Sequence, residues 1–148
     1  FVHEEIGYNF AFTEMQAAIG VSQLKKLSAI KDKKKRIYNR YMQLLEPVFE
    51  QLKPVWVDPK CDPVWWFTSF LTQEREALEK YLLSFGIQTR KFFCPLHMQP
   101  CYDHMEFDRS KFKLSEEIYS QGISLPSAYN LTIEEQQYII EKILEFYK

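Results

Sequence analysis

A chain of 148 residues with 46% hydrophobic and 26% charged side chains has a globular composition and enough apolar material for one real core. A formal net charge of -1 supplies no electrostatic reason to bind nucleic acid or an acidic membrane surface, and no apolar run is long enough to cross a bilayer. Three cysteines, Cys61, Cys94 and Cys101, do not make an even disulfide framework, so reduced thiols and a cytoplasmic setting are expected.

The first predicted element is a helix. Thr13 and Gln16 have the Thr-x-x-Gln spacing of a capping box, in which each side chain satisfies the other residue's backbone N–H. The Gly7-Tyr8-Asn9 turn comes just ahead of it and sets Asn9 in a loop beside a helix start. Ala17, Gly20, Leu24 and Leu27 share one helical face, and Ile37, Tyr41, Leu44 and Val48 share another. The two stripes do not join smoothly. A break is therefore expected near Ser28, which would cap a second helix whose length Pro47 and Pro54 limit. The basic run Lys31 to Arg36 falls on the polar side of that helix and reads as a solvated face rather than a phosphate patch.

Val64 to Leu71, with Trp65, Trp66, Phe67 and Phe70, reads as a buried strand. Thr72 then caps a helix from about Glu74, whose Leu78, Tyr81, Leu82 and Phe85 face inward until Gly86 supplies a left-handed stop. A strand follows from Ile87, and a helix covers about residues 112–121, ending at Gly122. Thr132 and Glu135 form a second capping box, which opens a terminal helix that carries Ile139, Ile143 and Phe146 on one face.

This order defines an α+β fold. An inter-domain loop and long helices occupy residues 1–51. An α+β unit follows over 52–148, in which a small antiparallel or mixed sheet carries helices on one side. There are too few β-α repeats for a doubly wound parallel sheet.

Candidate chemistry concentrates between Thr89 and Tyr102. Pro95 and Pro100 bracket His97 and restrain its backbone, so its imidazole is held toward a cleft and becomes a site candidate; a structural or simply exposed histidine is the alternative. Cys94, His97, Cys101 and His104 form a Cys-x-x-His-x-x-x-Cys-x-x-His series of zinc-competent side chains. All four fall in one short loop interrupted by two prolines, whereas structural zinc sites draw ligand pairs from separate turns, so no metal is expected.

Four motifs in a fixed order carry a resemblance. They are Gly7-Tyr8-Asn9; Thr13-Glu14-Met15-Gln16-Ala17-Ala18-Ile19-Gly20 with Gln23-Leu24-Lys25-Lys26-Leu27; Gly86-Ile87-Gln88-Thr89-Arg90 with Pro95-Leu96-His97-Met98-Gln99-Pro100; and Ser124-Leu125-Pro126-Ser127. Together they resemble the carboxyl-terminal part of the DegT/DnrJ/StrS sugar aminotransferases over nearly the whole chain. The resemblance implies a pyridoxal 5'-phosphate enzyme of the aspartate aminotransferase fold type. Such an enzyme moves an amino group, usually from glutamate, onto a keto sugar attached to a nucleotide, as a homodimer serving amino-sugar and polysaccharide biosynthesis.

It also implies that the chain, which opens at Phe1, is a fragment whose Schiff-base lysine lies upstream. No catalytic residue is assigned here, and the fragment alone is expected to be inactive. By the same resemblance Asn9 approaches the cofactor phosphate in the neighbouring subunit, an amide beside a helix start being a suitable donor. His97 lies near the sugar-nucleotide pocket, where it binds substrate, and Tyr102 lines the same pocket. Arg90 holds a carboxylate, that of the amino donor, or else a structural ion pair. Ala11 departs from the family pattern, where many members carry arginine, so whatever that arginine holds is absent here. The family's dehydrase branch shares the scaffold and stays open. So does a non-catalytic dimerisation domain working through the helix from Thr13 to Leu27.

Overall fold

Both predicted capping boxes are formed in the structure, a computed structural model that describes residues 2–148. Thr13 Oγ1 accepts from the Gln16 N–H while Gln16 Oε1 accepts from the Thr13 N–H at 2.8 Å, which opens α1 (Glu14–Leu24). Thr132 and Glu135 repeat the arrangement at the start of α5 (Ile133–Phe146). Such reciprocal bonds satisfy two of the N–H groups that a helix start leaves without partners.

The break after α1 comes earlier than Ser28. Lys26 has non-helical dihedrals and α2 spans Leu27–Leu44, so Ser28 lies inside the second helix and caps nothing. The Lys26 N–H closes on the Gln23 carbonyl, and Ile30 restarts the helical ladder on the Lys26 carbonyl. This rotates the apolar stripe of α2 onto the core, where Ile37 and Tyr41 are buried, while α1 buries no residue. Leu45 and Val48 continue that stripe through a 3-10 turn containing Pro47, at which the helix stops.

The sheet has four strands: β1 (Lys53–Pro54), β2 (Thr68–Leu71), β3 (Arg90–Lys91) and β4 (Gly122–Leu125). They lie in the order β1-β2-β4-β3 with every pair antiparallel. The predicted strand over 64–71 is shorter than expected because its neighbour is short: β4 offers only four residues, and Pro126 cannot donate to a further rung. Residues 64–67 therefore run unpaired, with Val64 and Trp66 exposed. The strand predicted from Ile87 starts only at Arg90 for the same reason, since β3 pairs with Ile123 and Ser124 alone.

Between β2 and β3 lies α3 (Arg75–Ser84). Its N-cap is Glu74, without a side-chain cap bond, so Thr72 stands too early to cap it. Thr72 Oγ1 instead accepts from the Glu74 N–H at 3.2 Å and bonds the Tyr147 hydroxyl at 2.9 Å, which ties the terminal helix to the approach to α3. Leu78 and Leu82 are buried as predicted, but Phe85 is exposed. Gly86 ends the helix with φ +76°, a conformation that a side chain disfavours. The fourth helix, α4 (Lys113–Gln121), ends directly in β4. There Gly122 has extended dihedrals, and its glycine is required for a different reason: a Cβ would meet the Phe92 ring.

Strand alternation sorts the sheet into two faces. Phe70, Ile123 and Leu125 join Tyr41, Leu45, Leu52, Leu78, Leu82, Ile140 and Ile143 in one apolar cluster that runs through the helices and the sheet. Two buried polar bonds pin α2 into it: Tyr41 Oη donates to the Pro126 carbonyl at 2.9 Å, and Gln136 Nε2 donates to the Ile37 carbonyl at 2.8 Å. Burial raises the Tyr41 pKa and keeps the phenol protonated as a donor. The opposite face of the sheet presents Ser69, Ser124 and Arg90, which are paired across the strands in register.

Candidate functional site

The segment between β3 and α4 carries the predicted histidine. Pro95 and Pro100 each fix φ and remove a backbone donor, and the chain beside them folds into 3-10 turns at Leu96–Met98 and Pro100–Tyr102. His97 sits on the first turn with its side chain only 5% exposed. Its Nε2 lies 3.0 Å from Oε1 of Glu116 on α4, and its ring stacks on Phe112 with centroids 4.4 Å apart. Arg109 Nε donates to the same Glu116 oxygen at 3.0 Å. The bond from His97 first, and then that from Arg109, hold the Glu116 carboxyl below its ordinary range.

Of these three, His97 lines a cleft of about 470 Å³, walled by Phe92, Phe107, Phe112, Ile118 and Tyr119. Burial, followed by the neighbouring Cys94, raises the Tyr119 pKa. The carboxylate fixes the orientation of the imidazole, and the aromatic walls suit a ligand with an apolar or ring-shaped body.

Arg90 stands on the other side of the wall made by Phe92 and Phe93, which line both the His97 cleft and a second cleft beside Arg90. The structure thus brings His97 and Arg90 to neighbouring hollows. Tyr102 is half-buried on the second 3-10 turn and does not line the His97 cleft.

Asn9 lies in the amino-terminal arm. That arm is tied at His3, whose N–H donates to Gln99 Oε1 at 2.8 Å and whose carbonyl accepts from Cys101 N–H at 3.0 Å. Past His3 the arm exposes everything it carries, with Tyr8 and Phe10 both 87% exposed. Asn9 is exposed and makes no hydrogen bond among the described residues.

Sequence reasoning missed Glu116, Arg109 and Lys34. Glu116 is 19 residues from His97, and no pattern links them. Lys34 belongs to a run that reads as a solvated basic face, yet its Nζ turns inward to the carbonyl oxygens of Trp66 and Ser127. Burial lowers its pKa. The three cysteines are free, and among the described residues no three His, Cys, Asp or Glu side chains gather as a metal set.

A four-stranded antiparallel sheet, with its helices over one face and clefts on the other, defines an α+β domain. The model of the DegT/DnrJ/EryC1/StrS aminotransferase family matches residues 1–144, and the chain belongs to this family. GDP-perosamine synthase of Escherichia coli O157:H7 is 34% identical over 98% of the chain and 39% of its own length. The dTDP-4-dehydro-2,6-dideoxy-D-glucose 3-dehydratase of Saccharopolyspora spinosa is 27% identical over 99% of the chain and 33% of its own length. Among solved structures, S. venezuelae DesV in complex with a ketimine intermediate superposes with a TM-score of 0.86 at 25% identity, over all of this chain and 40% of DesV. The chain spans about two fifths of the length of the curated relatives it matches.

Members of the family use pyridoxal 5'-phosphate. Of the residues assigned to this cofactor the chain offers only Asn9, a carboxamide on an exposed arm with nothing among the described residues closing round it. That fits a peripheral contact with a phosphate and does not make a cofactor pocket.

Proposed function

We propose that the chain is the carboxyl-terminal part of a pyridoxal phosphate-dependent aminotransferase that converts a nucleotide-linked keto sugar to an amino sugar, with glutamate as donor. The family match over residues 1–144 carries this reading. When bound, the cofactor supplies the electron sink and carries the amino group. The parent is a cytoplasmic homodimer of amino-sugar and polysaccharide biosynthesis. In it the exposed arm reaches the neighbouring subunit and Asn9 donates to the cofactor phosphate. His97, clamped by Glu116, shapes the sugar side of the pocket with Tyr102 nearby, and Arg90 meets a carboxylate.

The full-length parent tests this. Added glutamate should convert its bound cofactor from the aldehyde to the amine form, followed by absorbance, and 2-oxoglutarate should reverse the change. In Asn9→Ala, cofactor affinity should fall several-fold as one charge-assisted bond is lost. A parent that binds no pyridoxal phosphate, or amino transfer by the 148-residue chain alone, overturns the reading. The similarity to a sugar 3-dehydratase supports a second reading, in which the parent removes water from the sugar; a cofactor that glutamate leaves unconverted, together with dehydration of the keto sugar, would favour it.

A further inference from the structure

The amino-terminal arm is held at the place where the His97 turn ends. Residues 2–12 are all exposed, so no buried side chain of their own anchors them. Among the described residues two hydrogen bonds join the arm to the rest of the chain, and both are made by the His3 backbone. Its N–H donates to Gln99 Oε1 at 2.8 Å, and its carbonyl accepts from the Cys101 N–H at 3.0 Å.

Gln99 is a buried carboxamide, 5% exposed. A polar group taken out of water in this way needs partners at both its oxygen and its nitrogen. Gln99 finds them on different segments: Oε1 accepts from the arm, while Nε2 donates to the Cys94 carbonyl, 3.4 Å away, on the far side of Pro95. The arm offers a donor and Cys94 an acceptor, so a carboxamide suits both; an ionised glutamate would set a second oxygen against the Cys94 carbonyl. The backbone of the same residue donates to the Leu96 carbonyl at 3.1 Å and accepts from the Tyr102 N–H at 2.9 Å. Gln99 therefore closes the turn that carries His97, opens the next turn and receives the arm. Asn9 comes six residues after His3, and at about 3.3–3.6 Å per extended residue the tie confines it to within roughly 20 Å of this point.

We propose that Gln99 is a positioning residue, whose one carboxamide seats the arm on the His97 turn, so that Asn9 and His97 are placed from a common anchor. The roles given to Asn9 and His97 rest on the aminotransferase reading; the tie itself does not.

Amide hydrogen exchange in the 148-residue chain tests the tie, and cofactor affinity in the full-length parent tests what the tie positions. Gln99→Met keeps the length of the side chain and removes both carboxamide bonds. The Cys101 N–H and the Met98 N–H inside the His97 turn should then exchange about tenfold faster, while the amides of α5 keep their protection and show the fold intact. His3→Pro removes the arm's N–H and leaves Gln99 in place, so it should free Cys101 and spare Met98. In the parent, either variant should weaken cofactor binding several-fold. Combined with Asn9→Ala, Gln99→Met should weaken it no further than Asn9→Ala alone, because a freed arm has already lost that contact; a merely structural role would add its cost in full. Exchange at Cys101 in Gln99→Met equal to that in wild type overturns the proposal, as do losses of cofactor affinity that add. A parent that binds no pyridoxal phosphate overturns the aminotransferase reading, and the exchange rates of the chain then decide the tie alone.

Discussion

The two amino-terminal helices share the signals by which a helix is read from sequence, yet they end in opposite environments. α1 has the better start, a complete capping box, and it buries nothing. α2 has no side-chain cap, yet it places Ile37 and Tyr41 in the core and anchors them with hydrogen bonds from Tyr41 and Gln136. Capping is a local event between residues three apart, whereas burial depends on what lies across from the apolar residues. The apolar residues of α2 form a stripe that matches the sheet and α5. Those of α1, among them Met15, Ile19, Val21 and Leu24, surround the helix and face solvent.

The largest effect that would test this contrast is expected where α2 meets the sheet. Phe70→Ala, a fully buried ring in contact with that cluster, should cost about 3–5 kcal/mol in urea unfolding; a loss below about 1 kcal/mol would mean the core described here is not the stabilising one.

A smaller, pH-dependent effect belongs to the half-buried clamp. The Glu116 carboxyl is held below its ordinary value of 4.5 by His97 and Arg109. A depressed folded pKa contributes stability that is present above the unfolded value and is lost as pH falls from about 4.5 through the lowered one. Glu116→Gln should therefore flatten the fall of stability in that acid window, measured as melting temperature against pH. An unchanged profile would remove the clamp from the acid response.

The smallest change in stability is expected in α1. Ile19→Asp should alter unfolding by no more than about 0.5 kcal/mol, because the side chain is exposed. Sedimentation at rising concentration then separates a free arm from a sticky one. If the wild-type chain self-associates through α1, as a dimerisation domain would, the aspartate should abolish it.

The sequence made legible what neighbouring residues decide. Thr13 with Gln16, Thr132 with Glu135, and Gly86 all act within a few positions, and all were placed correctly. A small sheet, antiparallel or mixed, with helices on one side is legible too, and the structure makes it antiparallel throughout. Its extent was not, because residues 64–67 are apolar enough for a strand and lack one only because Pro126 ends the neighbouring ladder. The strand β4 leaves no readable signal: Ile123-Ser124-Leu125 alternates, but four residues between a helix and a proline make too short a pattern.

The site shows the same division. The prolines around His97 predicted its restrained turn, but its partner Glu116 and the inward turn of Lys34 are set by tertiary packing. Lys34 belongs to a run of like charges, and nothing local separates it from Lys33 or Lys35.

The Phe92 ring against Gly122 has a mechanical consequence. The ring occupies the space of a missing side chain on the central strand, and so keys the root of the His97-bearing segment into the sheet as a pin sits in a socket. Arg90 and His97 are mounted on either side of that pin. The contact thus divides the strand that carries Arg90 from the segment that carries His97.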